Sequence, residues 1–367
     1  MSIKNVFDEI VSFENLLNAE KEVGSGKKGL RPEALRFRED LENNLFDLRD
    51  HMMNLKPPEP KYNIFFVYEP KVRKVIDIDY KNKVIQRAIY DVVNPLVSTG
   101  FITDTFSCIE GRGQLAAMQR LYEWERYVSR KNREWFYLKT DVTKFFYRIP
   151  HDRLCKVVDK KIGDKRVAAL IKFYIENNSI PFGLPLDGSP LVTTLEEMLW
   201  ELGIAIGGGL SHMLGNMYFD VADQYIKRDL GAKFYARYMD DGIILSDDKT
   251  QLHEWRKKIE GFLNEKLQLN LNNKTMICPI DKGVEWVGYR IWPTHVTIRK
   301  STSLRMKRRL RVLQKQYTAG KVTFARVTQT VSSYKSLMKH CDCCSLDKKI
   351  FNDFVLTHDK EALSLES

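Results

Sequence analysis

Phe234–Leu245 reads FYARYMDDGIIL and sets two adjacent carboxylates, Asp240 and Asp241, between two apolar runs. The alternation in FYARY and the aliphatic run GIIL predict a strand, a tight turn and a second strand. The first strand should end in Tyr-Met-Asp-Asp and the second restart at Gly242. Neighbouring carboxylates repel each other unless positive charge lies beside them. Taken alone, an Asp-Asp turn is most often a solvated hairpin tip. At a sheet edge the same pair suits Mg2+, a hard cation that binds one or two protein carboxylates together with substrate phosphates.

A third carboxylate from another strand would complete a two-metal site. Asp141, in YLKTDVTKFFYRIPH, ends an apolar strand and precedes a turn into a helix. Two Mg2+ held among Asp141, Asp240 and Asp241 would clamp the attacking and leaving oxygens of an in-line phosphoryl displacement.

The bulk composition agrees with such a substrate. The chain has 367 residues, 43% of them hydrophobic, so it is globular and long enough for two or three sub-domains. Lys plus Arg number 59 against 48 Asp plus Glu, a net charge of +11 that favours a polyanion partner, nucleic acid above all. No apolar run approaches the ~20 residues of a membrane span. The N-terminus lacks the apolar core of a signal peptide, so a cytoplasmic location is expected. The six cysteines fit that compartment as reduced thiols. The cluster HCDCC, His340 to Cys344, lacks zinc-knuckle spacing and reads instead as small buried residues at the end of a helical hairpin.

Along the chain, residues 1–55 read as helical around a Gly/Lys loop, and KPPEP stops the helix. NIFFVYEPKVRKVIDID predicts a hairpin and KNKVIQRAIYDVVNPLV a helix. Further helices follow at QLAAMQRLYEWERYVSRKN, HDRLCKVVDKKI, DKRVAALIKFYIEN and LSHMLGNMYFDVADQYIKRDL. Beyond the opening hairpin come the helix HEWRKKIEGFLNEKL, the alternating stretch GVEWVGYRIWPTHVTIRK and a basic helical end. The class is α+β, with a small antiparallel sheet carrying the carboxylates.

Taken in order, these stretches resemble the reverse transcriptases, most of all the bacterial retron, group II intron and diversity-generating types. The resemblance covers about residues 60–345: YEPKVRKVIDID, NKVIQRAIYDVV, FITDTFSCIEGRGQLAA, the motif around Asp141, IGGGLSH, YMDD, LNLNNKT, VEWVGY and a thumb-like basic end. It implies a right-hand polymerase with a small antiparallel palm sheet: fingers and palm over 1–295, and a helical basic thumb over 296–367. It implies RNA-templated DNA synthesis with two Mg2+ per site.

The resemblance assigns roles residue by residue. Asp141 and Asp240 would bridge the metals, assisted by Asp241 and the Val142 carbonyl. Phe146 stands where these enzymes place a bulky side chain against C2′ of the sugar, with Phe145 competing for that place. A ring there excludes the 2′-hydroxyl that distinguishes ribonucleotides. Lys71 and Arg73, with Lys83 as a further candidate, would bind the incoming triphosphate. Gly207 and Ser211 would approach the nucleotide closely. Lys274 matches the lysine that protonates the leaving pyrophosphate. Gly288 and Tyr289, in VEWVGY, would grip the primer terminus. Arg305, Arg308 and Arg309 sit in a region with no acidic residue between 296 and 319, as phosphate contacts from a thumb require.

Two departures stand out. Ile206 and Gly207 match the diversity-generating pattern, but His212 matches neither that pattern nor the common one. Residues 183–205, GLPLDGSPLVTTLEEMLWELGIA, read as an insertion with its own helix. The expected partners are a template RNA, a cognate non-coding one, a DNA or RNA primer, deoxynucleoside triphosphates and a small accessory protein, with no membrane. The sequence ends at Ser367, so any nuclease is expected to come from elsewhere. The biological role is expected to be a diversity-generating retroelement. The alternatives are a defence-associated enzyme that copies its own non-coding RNA during phage infection, and an RNA-binding scaffold without catalysis. Three intact acids argue against the scaffold, because binding needs none of them.

Overall fold

The apolar period of the N-terminal segment closes into short helices: α1 (Phe7–Ile10), α2 (Phe13–Val23), α3 (Pro32–Glu39) and α4 (Leu41–Met53). Ser12 caps α2 by accepting from the Asn15 amide at 3.2 Å. Pro32 opens α3, where its missing N–H is no loss. The structure, a computed structural model, describes residues 2–68, 73–205, 208–352 and 354–357, with only the backbone of Arg73.

β1 (Tyr62–Val67) and β2 (Arg73–Ile78) form the expected antiparallel hairpin, with Tyr62 opposite Ile78. Asp79 caps the following helix α5 (Tyr80–Ser98) by accepting from the Asn82 amide. The chain continues through α6 (Gln114–Ser129), β3 (Phe136–Thr140), α7 (Phe145–Arg148), α8 (His151–Lys161), α9 (Lys165–Glu176) and α10 (Gly209–Gln224). Then come β4 (Phe234–Tyr238), β5 (Asp241–Ser246), α11 (Lys249–Phe262) and β6 (Met276–Pro279). β7 (Val284–Trp286), β8 (Tyr289–Ile291) and β9 (Val296–Ile298) form an antiparallel meander. Helices α12 (Lys300–Thr318), α13 (Phe324–Met338) and α14 (Cys344–Phe351) follow it. The strands that flank the acids share a four-stranded sheet of order β4-β5-β3-β6. The α+β class with small sheets is the one expected.

The chain divides into two compact units. One comprises Met1–Gly113, Leu138–Ile244 and Thr250–Met276; the other comprises Gln114–Tyr137, Leu245–Lys249 and Ile277–Ser367. Within the second unit the last strand and the helices after it share one core. Ile298 of β9 shares a core with Met306, Leu310, Met338, Cys343 and Ile350. The Asp342 amide also donates to the Val296 carbonyl at 2.7 Å, and Asp342 Oδ2 accepts from the Val296 amide at 2.9 Å. Of HCDCC only Cys343 enters that core, with Cys341 half-buried and the two thiols 3.0 Å apart; His340, Asp342 and Cys344 are exposed, so the run is not the set of small buried residues expected.

Two other local expectations are corrected. The second strand of the hairpin starts at Asp241, one residue before Gly242. Residues 183–205 form no helix. Pro185 and Pro190 remove donors within that stretch, and Gly183, Gly188 and Gly203 break any helical run. The stretch is tied instead to the segment after Asp141. Lys144 Nζ donates to the carbonyls of Pro185, Leu186 and Gly188. The Ile204 amide donates to Phe146, and the Gly203 amide to Ile149. His151 Nε2 meets the Gly203 carbonyl at 2.6 Å. Among the described residues no helix is long and apolar enough to cross a membrane.

Candidate active site

The β4–β5 hairpin turns in two residues, Met239 and Asp240. Met239 adopts φ +55, a left-handed backbone that costs a residue with a Cβ about 1–2 kcal/mol. Its carbonyl accepts a hydrogen bond from Arg237 Nη1 at 2.7 Å. Arg237 itself is fully buried. The turn leaves Asp240 and Asp241 half-buried. Burial, together with the charges of Asp241 and Asp141, pushes the Asp240 carboxyl up to about 7. Asp240 thus feels the charge of both other acids singled out by the sequence, although about a hundred residues lie between Asp141 and the pair.

Asp141 follows β3 and is fixed from the other side by the segment NLNNKT. Val142 bridges Leu271 antiparallel. The Asn272 amide donates to the Asp141 carbonyl at 2.7 Å, and the Thr143 amide to the Asn270 carbonyl at 2.9 Å. Those bonds come from the flanking residues, so the pairing leaves the Val142 carbonyl unused. The same segment brings Lys274 Nζ to 3.8 Å from Asp141 Oδ2, with the lysine 64% exposed and the aspartate 18%. An ammonium that open is poised to reach a ligand rather than committed to a structural pair.

Among the described residues no three His, Cys, Asp or Glu side chains close around one point as a finished metal shell. The acids are neighbours by charge. As a donor set they fit a hard divalent cation: every donor is oxygen, and positive charge between them would offset the repulsion that raises Asp240.

The two adjacent phenylalanines part company. Phe145 is buried and packs edge-on against Phe219, ring centroids 5.7 Å apart. Phe146 is half-buried. Its ring meets the His212 ring edge-on, with centroids at 5.7 Å and planes at 84°. A Cβ at Gly215 would stand 3.1 Å from the Phe146 ring, so that position leaves the ring its space. Of the two, Phe146 is the more exposed. His212, a departure in the sequence, is the side chain packed against it.

Lys83 and Ser211 are brought together elsewhere. Both line a cavity of about 340 Å3 between the N-terminal helices, β2 and the start of α10, and none of the three acids lines it. Lys83 is paired with Asp77 at 2.8 Å. Lys71 and Gly207 lie outside the described residues, as does the side chain of Arg73.

Within the second unit, α12 buries Met306, Leu310 and Leu313 on one stripe. Arg305 and Arg308 are exposed and Arg309 is half-buried. The β7–β8 hairpin turns through Val287 (φ 42) and Gly288 (φ 88), a two-residue turn with both central residues left-handed. Gly288 is exposed, whereas the Tyr289 side chain is buried at 3%. A contact from VEWVGY would therefore come from the turn backbone and not from the tyrosine ring.

Sequence reading passed over Arg237, Asn216 and Lys144. Arg237 had a signal: a lone charge in a strand whose other residues are apolar or aromatic needs a buried partner. Which residue supplies that partner is settled only by the fold.

Residues 60–291 match the family model described as reverse transcriptase (RNA-dependent DNA polymerase). That match covers more than half of the chain. It includes Asp141, Asp240, Asp241 and Lys274, and it ends before α12. Protein YkfC of Escherichia coli (strain K12) is 24% identical over 244 residues, which make up 58% of this chain and 61% of that protein. The chain thus spans about three fifths of the length of that curated relative. Among solved structures, apo telomerase from Candida tropicalis, truncated from the C-terminal domain, aligns with a TM-score of 0.48 and 12% identity, over 65% of this chain and 55% of that one.

Proposed function

Because the chain belongs to the reverse transcriptase (RNA-dependent DNA polymerase) family, we propose that it extends a primer with deoxynucleotides on an RNA template. The observation that carries this reading is the convergence of Asp141 and Asp241 on Asp240, whose carboxyl their charges help to raise, with the Lys274 ammonium 3.8 Å from Asp141. Asp141, the Val142 carbonyl, Asp240 and Asp241 would hold two Mg2+. Bound there, divalent cations supply the charge that steadies the attacking and leaving oxygens of an in-line displacement.

The chain's own residues do the rest. Lys274 is exposed enough to turn from Asp141 toward the leaving pyrophosphate and give it a proton. Phe146 bars a 2′-hydroxyl. Lys71, Arg73 and Lys83 neutralise the triphosphate, and Lys83 exchanges Asp77 for phosphate as it does so. Gly207 and Ser211 let the nucleotide approach the start of α10. Residues 1–295 serve as fingers and palm and 296–367 as thumb; Gly288 and the backbone at Tyr289 from the first, with Arg305, Arg308 and Arg309 from the second, hold the primer–template.

The test is the double variant Asp240→Ala/Asp241→Ala. Nucleotide addition should fall below detection while RNA binding changes less than about twofold, since the phosphate contacts lie on other side chains. A well-folded double variant that still polymerises would end this reading.

For the biological role we favour a diversity-generating retroelement, with a template RNA and a small basic accessory protein. Ile206-Gly207 and the end SYKSLMKHCDCCSL support it. The alternative is a defence role, copying a cognate non-coding RNA; His212 and the stretch 183–205 depart from the diversity-generating pattern. Gene neighbourhood separates them: a template and variable repeat pair belongs to the first, a structured RNA gene beside a lone reading frame to the second.

A further inference from the structure

We propose that Arg237 is the positioning residue of the candidate active site: through the Met239 carbonyl it holds the hairpin turn in the left-handed form that presents Asp240 and Asp241. This deepens the polymerase reading and rests on the catalytic role of those two acids.

Arg237 has no exposed surface. Its guanidinium divides into two working halves. Nε donates to both oxygens of Asp223 at 2.9 Å, and Nη2 donates to Asp223 Oδ2 at 2.7 Å. That half is an anchor on α10, and Asp223 also accepts from Tyr235 at 2.6 Å and from Thr105 at 3.4 Å. The other half is Nη1, which donates to Asn216 Oδ1 at 3.0 Å and to the Met239 carbonyl at 2.7 Å. Asn216 is in turn fixed by its own bond to the Ser107 carbonyl at 2.8 Å. The Arg237 backbone is pinned on both sides: its amide donates to Asp104, and its carbonyl accepts from Phe106. The Phe219 ring lies 4.8 Å from the guanidinium carbon.

An anchor to Asp223 alone would need only one edge of the guanidinium. The remaining edge is spent on a backbone carbonyl next to Asp240, at a residue whose backbone is strained. A planar fork can do both at once, because its donors point in fixed, separate directions. Lysine, with one point charge, can keep the pair with Asp223 but cannot also hold Met239. The left-handed conformation at Met239 is unfavourable for a residue with a Cβ, so without the clamp the turn relaxes and the two carboxylates lose their shared orientation.

The experiment uses the full chain with Arg237→Lys, Asn216→Ala and each combined with Met239→Gly. Folding is followed by circular dichroism and thermal unfolding. Metal binding is measured directly by Mn2+ titration with electron paramagnetic resonance, and polymerisation is measured by kcat and KM for deoxynucleotides. Arg237→Lys should weaken Mn2+ binding and lower kcat by about tenfold or more, with KM changed less than about threefold. Asn216→Ala, which leaves the Asp223 anchor intact, should shift both in the same direction by a few-fold. Met239→Gly, which adopts φ > 0 without strain, should restore at least part of the loss in both backgrounds. If Arg237→Lys does not fold, Asn216→Ala with and without Met239→Gly decides the matter. Folded variants with unchanged Mn2+ affinity and kcat would overturn the proposal. So would losses that follow the drop in thermal stability and that Met239→Gly does not rescue. Should Asp240→Ala/Asp241→Ala remain active, the catalytic reading fails first. Should that pair prove essential while the Arg237 and Asn216 variants behave as wild type, only the clamp fails.

Discussion

Phe146 shows how one ring can be read twice. In the sequence it is one of two adjacent phenylalanines; in the fold it is the one left half-open, with His212 against its edge. Phe146→Ala should raise ribonucleotide use relative to deoxynucleotide use by about tenfold or more, the scale of a steric pocket difference. The ratio of kcat/KM for the two sugars measures it, and an unchanged ratio moves the gate elsewhere. His212→Ala frees the ring without removing it, so its shift should have the same sign and be smaller. Lys274→Ala should lower kcat by about a hundredfold, the lower range for a lost general acid. A single-turnover rate that does not change would reduce Lys274 to a surface partner of Asp141.

The scale of elements brings in α12. Its buried stripe of Met306, Leu310 and Leu313 fastens the helix and turns Arg305 and Arg308 outward. Clustered cations without interleaved base-reading groups bind backbone phosphate and read no sequence. Neutralising Arg305, Arg308 and Arg309 together removes up to three phosphate contacts, each contributing about 0.9 to the slope of log affinity against log salt. A salt titration on two unrelated primer–templates of equal length should show the slope flattened by up to about 2–3 units, equally for both. An unchanged slope would make the helix merely solvated. Helical periodicity alone revealed α12. The helix expected within 183–205 did not form, because short polar and proline-rich runs carry no period strong enough to outweigh the tertiary bonds from Lys144 and His151.

At the scale of the whole molecule, stability carries a pH signature. Glu125 on α6 is fully buried, and neither carboxyl oxygen has a hydrogen-bond partner among the described residues. Burial pushes its carboxyl up to about 9. The folded state therefore holds a proton that the unfolded chain releases above the ordinary value of 4.5. The sign follows: this group's contribution is intact below about pH 4.5 and is lost as the pH rises toward 9, at up to about 1.4 kcal/mol per unit. Glu125→Gln, which cannot ionise, should gain stability on wild type steadily between pH 5 and 9 in denaturant unfolding. A difference between the two that is flat with pH would show that the carboxyl is not buried in this way.

The sequence by itself determined what is local or ordered along the chain. Strand alternation and helical period placed most elements. Acids at the ends of apolar strands marked Asp141, Asp240 and Asp241, and the collinear motifs identified the family. Only the tertiary structure decided what depends on distant residues meeting. It set Lys274 beside Asp141, buried Phe145 while leaving Phe146 half-open, turned the Tyr289 ring inward and joined Arg237 to Asp223 and Met239. The physical reason is the range of the forces. Backbone preference and hydrophobic period act over a few residues and are written in order. Burial and the partnering of a buried charge depend on which surfaces meet, and no spacing in the sequence records that.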